Sequence, residues 1–403
     1  MDDIESIYEN ECLDFGLMEQ LAKLVLNRLT SWANEEIYAP LGGKLTTSTP
    51  LKESVNAGAI VNRLSPLNPN VVIHFGMIQE IYRDALVFPI YSEKIAESTE
   101  NFKNKNWGMF KGAKFKFEAG VPTLTSKEIS PLSATFSGPW IEEYKKIADE
   151  NPELMSEERL DVIIKTLPAR FLMFELMLSW VFFHELSHLI QCHYKLKGDT
   201  SENIEYYEVV GDFSEPDFRG QSREILADIE GLNLTVRYME REGFYGPNSM
   251  YLLLCSMTCM FNRFCGNGYL DKFHEVKGVH PHPVIRDDFI HEYFCSLMAK
   301  ATPFVWEPSV RESILLGYGY LTIRSAMAAG LFWANRYQNF DGKEYPSYMS
   351  LQMTTKTKEA EAYKAELRGI THTQLEVITA EHLYNATTTK LLFEQGFFEK
   401  EKT

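Results

Sequence analysis

The stretch FFHELSHLIQCHYK, residues 182–195, sets three histidines and a glutamate in a run otherwise suited to a hydrophobic core. His184 and His188 are four residues apart, which on an α-helix separates them by about 40° around the axis and one turn along it. Both imidazoles then face one divalent ion. Glu185 leaves the same helix about 100° from His184, where its carboxylate is free to take a proton from a water on the ion without ligating the ion itself. The pattern HExxH is the one associated with zinc-assisted peptide hydrolysis. The competing reading is a buried helix with two hydrogen-bonded core histidines; the apolar wall around HELSH favours the ion, because it limits solvent and strengthens the interaction with the metal.

A third ligand must come from elsewhere. On a continuous helix His193 would lie about 140° from His188 and about 180° from His184, and the intervening LIQC holds neither glycine nor proline to end the helix early. His193 is therefore expected near the helix end, partly exposed, as a cation at the favourable pole of the dipole. The segment QSREILADIEGLNLTVRYM, residues 221–239, is the better donor. Its Ile225, Leu226, Ile229 and Leu232 recur with helical period, while Glu224 and Asp228 share another face at i and i+4. Glu224 completes a His2Glu set that leaves a fourth zinc position for water. Asp228 is placed to accept the free ring N–H of a ligating histidine. Two alternatives stay open: that these acids only meet solvent, or that the ligand comes from SENIEYYEVVGDFSEPDF, residues 201–218, whose glycine, proline and aspartate suggest a loop lining the cleft.

The elements that must position these residues are mostly helical. LMEQLAKLVLNRLTSWANEEIY returns apolar residues every three or four positions and predicts an opening helix. AGAIVN and NVVIHF are β-prone runs separated by the turn-rich LSPLNP. KGAKFKFEAG, residues 111–120, predicts a half-exposed strand, and VPTLTSKEISPLSATFSGP, residues 121–139, a long loop or boundary. SEERLDVIIKTL then opens a helix with two glutamates in its first turn, where negative charge is favoured. The expected fold class is α+β, mostly helical, with a small N-terminal sheet and a helical C-terminal extension. Three parts are expected: mixed α/β over 1–150, a helical catalytic core over 151–310 and a helical extension over 311–403. The apolar segments Arg170–Phe183, Ser249–Phe261 and Ser325–Ala334 are read as core helices rather than membrane spans.

The bulk composition narrows the partners. A formal charge of -16 argues against a phosphate-backbone binder. The acidic start MDDIESIYEN lacks the pattern of a secretion signal, and the cytoplasm is the expected compartment. Six cysteines, at 12, 192, 255, 259, 265 and 295, form no CxxC pair and are expected as reduced thiols.

HELSH followed by ExxAD, here Glu224, Ala227 and Asp228, resembles the gluzincin pattern of zinc metallopeptidases. The resemblance implies zinc on His184, His188 and Glu224, Glu185 as general base, Asp228 behind the ligands, and Ala227 as the small residue that lets two helices approach. VHPHPVIRDDF, residues 279–289, resembles the late HPxxxxR element of membrane-linked and related cytoplasmic gluzincins, matched by His280, Pro281 and Arg286. HELSHLIQCH and PNVVIHFGMI are similar to the phage-exclusion peptidases of the Lit type, cytoplasmic enzymes that cleave elongation factor Tu. Cys192 stands where that pattern usually has glycine. The likeness covers residues 55–290 and implies a zinc-dependent endopeptidase with a cytoplasmic protein substrate, a regulatory protein partner, and an antiviral role. No membrane or nucleic-acid partner is expected. The alternative is a zinc-binding interaction or structural protein that cleaves nothing. The prolines at 281 and 283 prevent a regular helix through residues 280–283, predicting a rigid extended turn that presents one imidazole to the cleft. His280 is expected to stabilise the oxyanion or substrate, with His282 its competitor, and Arg286 to anchor the segment on a carboxylate.

Overall fold

In the computed structural model the described residues are 15–98, 121, 123–153, 155–196, 202–207, 215–264, 276–301, 307–337 and 355–399. The opening amphipathic segment forms α1 (Phe15–Ala33), which buries Leu21, Val25, Leu29 and Trp32 along one face. It runs on through a π turn at Asn34–Tyr38 and a 3-10 turn at Ala39–Leu41, and stops at Gly42, whose φ of 75° needs a residue without a Cβ. The β-prone runs become β2 (Ala57–Asn62) and β3 (Asn70–Ile73), preceded by the short β1 (Thr46–Ser48).

A fourth strand arrives from far along the chain. β4 (Asn203–Tyr207) pairs antiparallel with β2, so that Ala59 faces Tyr206 on one side and Val71 of β3 on the other. The order is β1-β3-β2-β4, with β1 and β3 parallel. β4 lies inside the segment expected to be a loop. Its buried Ile204 and the aromatic Tyr206 and Tyr207 suit a pleated surface, whereas the glycine, proline and aspartate that suggested a loop all follow residue 207. Residues 208–214 of that segment, and the strand expected at 111–120, lie outside the described residues.

A second correction concerns 121–139. α3 (Pro131–Glu150) occupies its latter part, with Pro139 inside the helix. Ser130 caps it by accepting from the Ser133 N–H, and Pro131 stands in the first turn, where its missing N–H costs nothing. The helix is held by tertiary packing: the rings of Phe136 and Trp140 lie tilted against Phe171 at 6.1 and 6.3 Å between ring centroids. Burial of that aromatic face outweighs the one hydrogen bond lost at Pro139.

α4 (Glu157–Ile190) is the axis of the molecule. Ser156 caps it, Glu157 and Glu158 fill its first turn, and at 34 residues it is about 50 Å long. Every residue from Ala169 to Ile190 is buried, as a mostly apolar helix surrounded by other elements requires. Around it pack α1, β2, α2 (Phe75–Ser98), α3, α6 (Phe218–Arg241) and α7 (Pro247–Phe264). A one-turn α5 (His193–Leu196) follows α4 after a break. α8 (Pro283–Ala301) packs on α6, α7 and α9 (Pro308–Tyr337). Among the described residues α9 is the one helix long and apolar enough to cross a bilayer by length and composition; 39% of its most apolar stretch is buried.

The last helices, α10 (Lys358–Glu381) and α11 (Thr387–Glu394), pack on α6. Their contacts are specific. Ser222 donates to Thr371 at 2.7 Å, Tyr363 donates to Gln221 at 2.6 Å, and the Leu383 N–H takes the Ile190 carbonyl at the end of α4 at 2.8 Å. The fold is α+β, mostly helical, with one small sheet.

Candidate metal centre

α4 and α6 lie side by side, and their backbones meet at Gly231: a Cβ there would stand 3.0 Å from the His184 nitrogen and 3.1 Å from its Cα. Ala227, the small residue that the resemblance pointed to, is buried one turn earlier. The close contact brings Glu224 of α6 under the two histidines of α4. His184 Nε2 and His188 Nε2 are 3.2 Å apart. Glu224 Oε2 lies 3.3 Å from His184 Nε2, and its Oε1 lies 3.5 Å from His188 Nε2. All three residues are buried.

These atoms suit a metal ion better than one another. Two imidazole nitrogens meeting at 3.2 Å share at most one proton, and among the described residues Glu224 Oε2 is buried without a well-directed hydrogen bond. Donors about 2.0–2.1 Å from a tetrahedral zinc stand roughly 3.3–3.4 Å from each other, close to the separations of 3.2, 3.3 and 3.5 Å found between the rings and the two Glu224 oxygens. Burial acts to raise the Glu224 carboxyl, but the charge of His280 and His188 and the hydrogen bonds from both α4 histidines prevail and hold it well below its ordinary value. An ionised carboxylate is the form that ligates.

The supporting residues sit on four elements. Asp228 Oδ1 lies 2.9 Å from His184 Nδ1, the ring nitrogen turned away from the cluster. The same carboxylate receives Arg286 of α8 through two bonds, Nε to Oδ2 at 2.8 Å and Nη2 to Oδ1 at 2.7 Å. The guanidinium also lies 5.1 Å from the Phe261 ring centroid. Removing one partner of a pair buried this fully costs on the order of 3–5 kcal/mol. His280 is half-buried, with Nε2 3.5 Å from Glu224 Oε2. His282 is instead buried at the start of α8, where its Nδ1 accepts the Val284 N–H at 3.2 Å. Of the two, His280 faces the cluster.

Glu185 is buried on α4 beside His184. Its negative charge reaches Tyr207 of β4, whose hydroxyl is pushed up by burial first and by Glu205 and Glu185 after it. Tyr206 stacks flat on the His188 ring, centroids 5.0 Å apart and planes at 17°. β4 therefore borders the metal cluster, and the acids of 202–207 do not enter it. The tyrosines were missed because the loop reading hid them; paired aromatic residues were the available signal.

His193 departs most from expectation. α4 ends at Ile190, and Cys192 takes a left-handed φ of 52°. That conformation costs a residue other than glycine about 1–2 kcal/mol and needs no glycine or proline in the sequence. The turn brings His193 back against His188, with the two Nδ1 atoms 2.9 Å apart. His193 is fully buried rather than partly exposed. Burial, helped by the charges of His188 and Arg223, pushes its pKa well below the ordinary histidine value, so it is neutral rather than a cation.

The geometry is that of an HExxH zinc-metalloprotease site: two imidazoles and a later glutamate converge, and a carboxylate follows the first ligand. It supports metal-dependent hydrolysis. Family models, curated proteins and solved structures give no match to this chain.

Proposed function

We propose that this protein is a zinc-dependent endopeptidase acting on a cytoplasmic protein. The observation that carries the reading is the convergence of His184, His188 and Glu224 on one point, with Glu185 next in sequence to the first histidine. Zinc, when bound, lowers the pKa of a water towards neutrality and polarises a carbonyl. Three protein ligands leave one position open, as hydrolytic sites do and structural sites do not. Glu185 takes the proton of the attacking water and passes it to the leaving amine. His280, half-buried at the cluster's edge, donates to the substrate oxygen as charge develops there. Arg286 fixes Asp228, and Asp228 fixes the ring of His184.

A peptide is the favoured substrate because β4 is an edge strand among the described residues and runs beside His188. An open edge offers main-chain donors and acceptors to an extended chain. Cys192, Cys255, Cys259 and Cys295 form no disulfide among the described residues, which suits a reducing compartment; Cys12 and Cys265 lie outside the described residues. A regulatory protein partner belongs to the same proposal, since an unrestrained cytoplasmic protease would damage its host. The narrowest form follows HELSHLIQCH and PNVVIHFGMI: a phage-exclusion enzyme cutting elongation factor Tu.

The test compares native protein with Glu185→Gln on a whole-cytoplasm extract and on purified elongation factor Tu, reading new peptide termini and bound zinc. Native protein should create termini and the variant none, with zinc stoichiometric in both; the rate loss from one proton-transfer group is about 100-fold to 10,000-fold. Equal proteolysis by both, or no zinc in the native protein, sinks the reading.

A further inference from the structure

The two zinc-facing histidines are backed differently. Behind His184 stands an acid, Asp228, already paired with Arg286. Behind His188 stands another imidazole: the Nδ1 atoms of His188 and His193 are 2.9 Å apart, with the rings edge-on at 75°. For His188 to direct a lone pair from Nε2 at the cluster, its proton must be on Nδ1. At 2.9 Å from that nitrogen stands His193 Nδ1, which must then accept, so the His193 proton is on Nε2.

We propose that His193 is the positioning residue of the centre: held in its Nε2–H tautomer, it accepts the His188 Nδ1 proton and fixes the ring that faces the metal. The left-handed Cys192 is what makes this arrangement reachable, since it turns His193 back under α4. A further observation shows that His193 is not simply filling space. Its Nε2 is fully buried and has no hydrogen-bond partner among the described residues, a cost of about 1–3 kcal/mol that an apolar side chain of the same size would avoid.

The inference rests on the zinc reading above, and the experiment separates the two. Full-length native protein, His193→Phe and His193→Asn are each titrated with zinc against a competing chelator, and each is melted in the metal-free state. Phenylalanine keeps the ring but offers no acceptor; asparagine offers an acceptor near the position of Nδ1. His193→Phe should bind zinc about 10-fold to 100-fold more weakly, while its metal-free melting temperature is equal to or above native. His193→Asn should recover most of that affinity. Zinc binding by His193→Phe within about twofold of native, where the expected loss is at least tenfold, overturns the assignment. So does an equal loss in both variants that tracks a lower melting temperature, which is what a purely structural residue gives. Should His193→Phe fail to fold, nitrogen-15 spectra of the zinc-loaded native protein decide, with His193 identified by its absence in His193→Asn. A neutral Nε2–H ring is required; a proton on Nδ1 or a metal-bound His193 refutes the proposal. Native protein that binds no zinc at all defeats the functional reading instead.

Discussion

Replacing Gly231 by alanine tests whether the approach of α4 to α6 sets the metal geometry. The added Cβ would stand 3.0 Å from the His184 nitrogen, 3.1 Å from its Cα and 3.4 Å from the Phe183 carbonyl carbon. Comfortable contact for such atoms is about 3.5–4.0 Å, so the backbones must part by roughly half an ångström. Alanine improves helix propensity by about 0.8–1.0 kcal/mol, and overpacking costs about 1–3 kcal/mol. The net loss is about 0–2 kcal/mol, the difference of those two terms. Over 403 residues the unfolding entropy is about 0.85 kcal/mol per kelvin, so the melting temperature of metal-free protein should fall by no more than about 2–3 °C. The site should suffer more. His184 would move relative to Glu224, now 3.3 Å away, by as much as the roughly 0.5 Å tolerance of a pre-organised site. Zinc affinity should then drop about 10-fold, in the range seen when a ligand's support is disturbed. Chelator competition and melting in the presence of EDTA measure the two effects separately. A variant more stable than native with unchanged zinc affinity would show that the contact at Gly231 does not position the ligand.

Asp228→Asn should weaken zinc binding about 10-fold to 100-fold and lower stability, because it removes the carboxylate charge that Arg286 grips through two bonds; isothermal titration and thermal melts read both, and surface-like behaviour in both refutes the role. Glu224→Ala removes a ligand and should abolish stoichiometric zinc by elemental analysis, whereas retained zinc would assign the third ligand elsewhere. His280→Ala should lower peptide turnover with zinc still bound, while His282→Ala should act mainly on stability, by about 0.5–2 kcal/mol as the loss of a helix cap does; the reverse pattern exchanges their roles. The pH dependence of stability should include a contribution from Asp288. Burial raises its carboxyl, but the hydrogen bond and charge of Lys364, with Lys356 behind, prevail and hold it below its ordinary value. A depressed folded pKa means stability fully present above the unfolded value of about 3.9 and lost as pH falls through the folded one. Asp288→Asn should flatten that acid limb in denaturant titrations, and an unchanged limb refutes the pairing.

Local periodicity carries far in this chain. A helix repeats every 3.6 residues whatever surrounds it, so HELSH and EILAD announce by spacing alone which side chains share a face. The mostly helical fold, and a cluster of His184, His188 and Glu224 able to hold a metal ion, were legible for that reason. VHPHPVIR displayed its turn through its prolines, but spacing could not choose between His280 and His282; the choice fell to the helix start at Pro283, which uses His282 as a cap.

What the sequence by itself determined is the set of amphipathic and all-apolar helices and the donors on their faces, because both follow from neighbours within a turn or two. What only the tertiary structure decided depends on partners far along the chain. β4 is a strand because β2, about 145 residues earlier, pairs with it. α3 tolerates Pro139 because Phe171 covers its aromatic face. Gly231 takes a close helix–helix contact because that is where the His184 backbone crosses. His193 is buried, neutral and hydrogen-bonded to His188 because one left-handed residue, Cys192, ends α4 after Ile190. The strain in that turn is local, but the packing that sustains it comes from α10 and the segment after it: the Cys192 thiol meets the Glu381 carbonyl at 3.1 Å, and the Leu383 N–H takes the last carbonyl of α4. No window of sequence around residue 192 contains those partners.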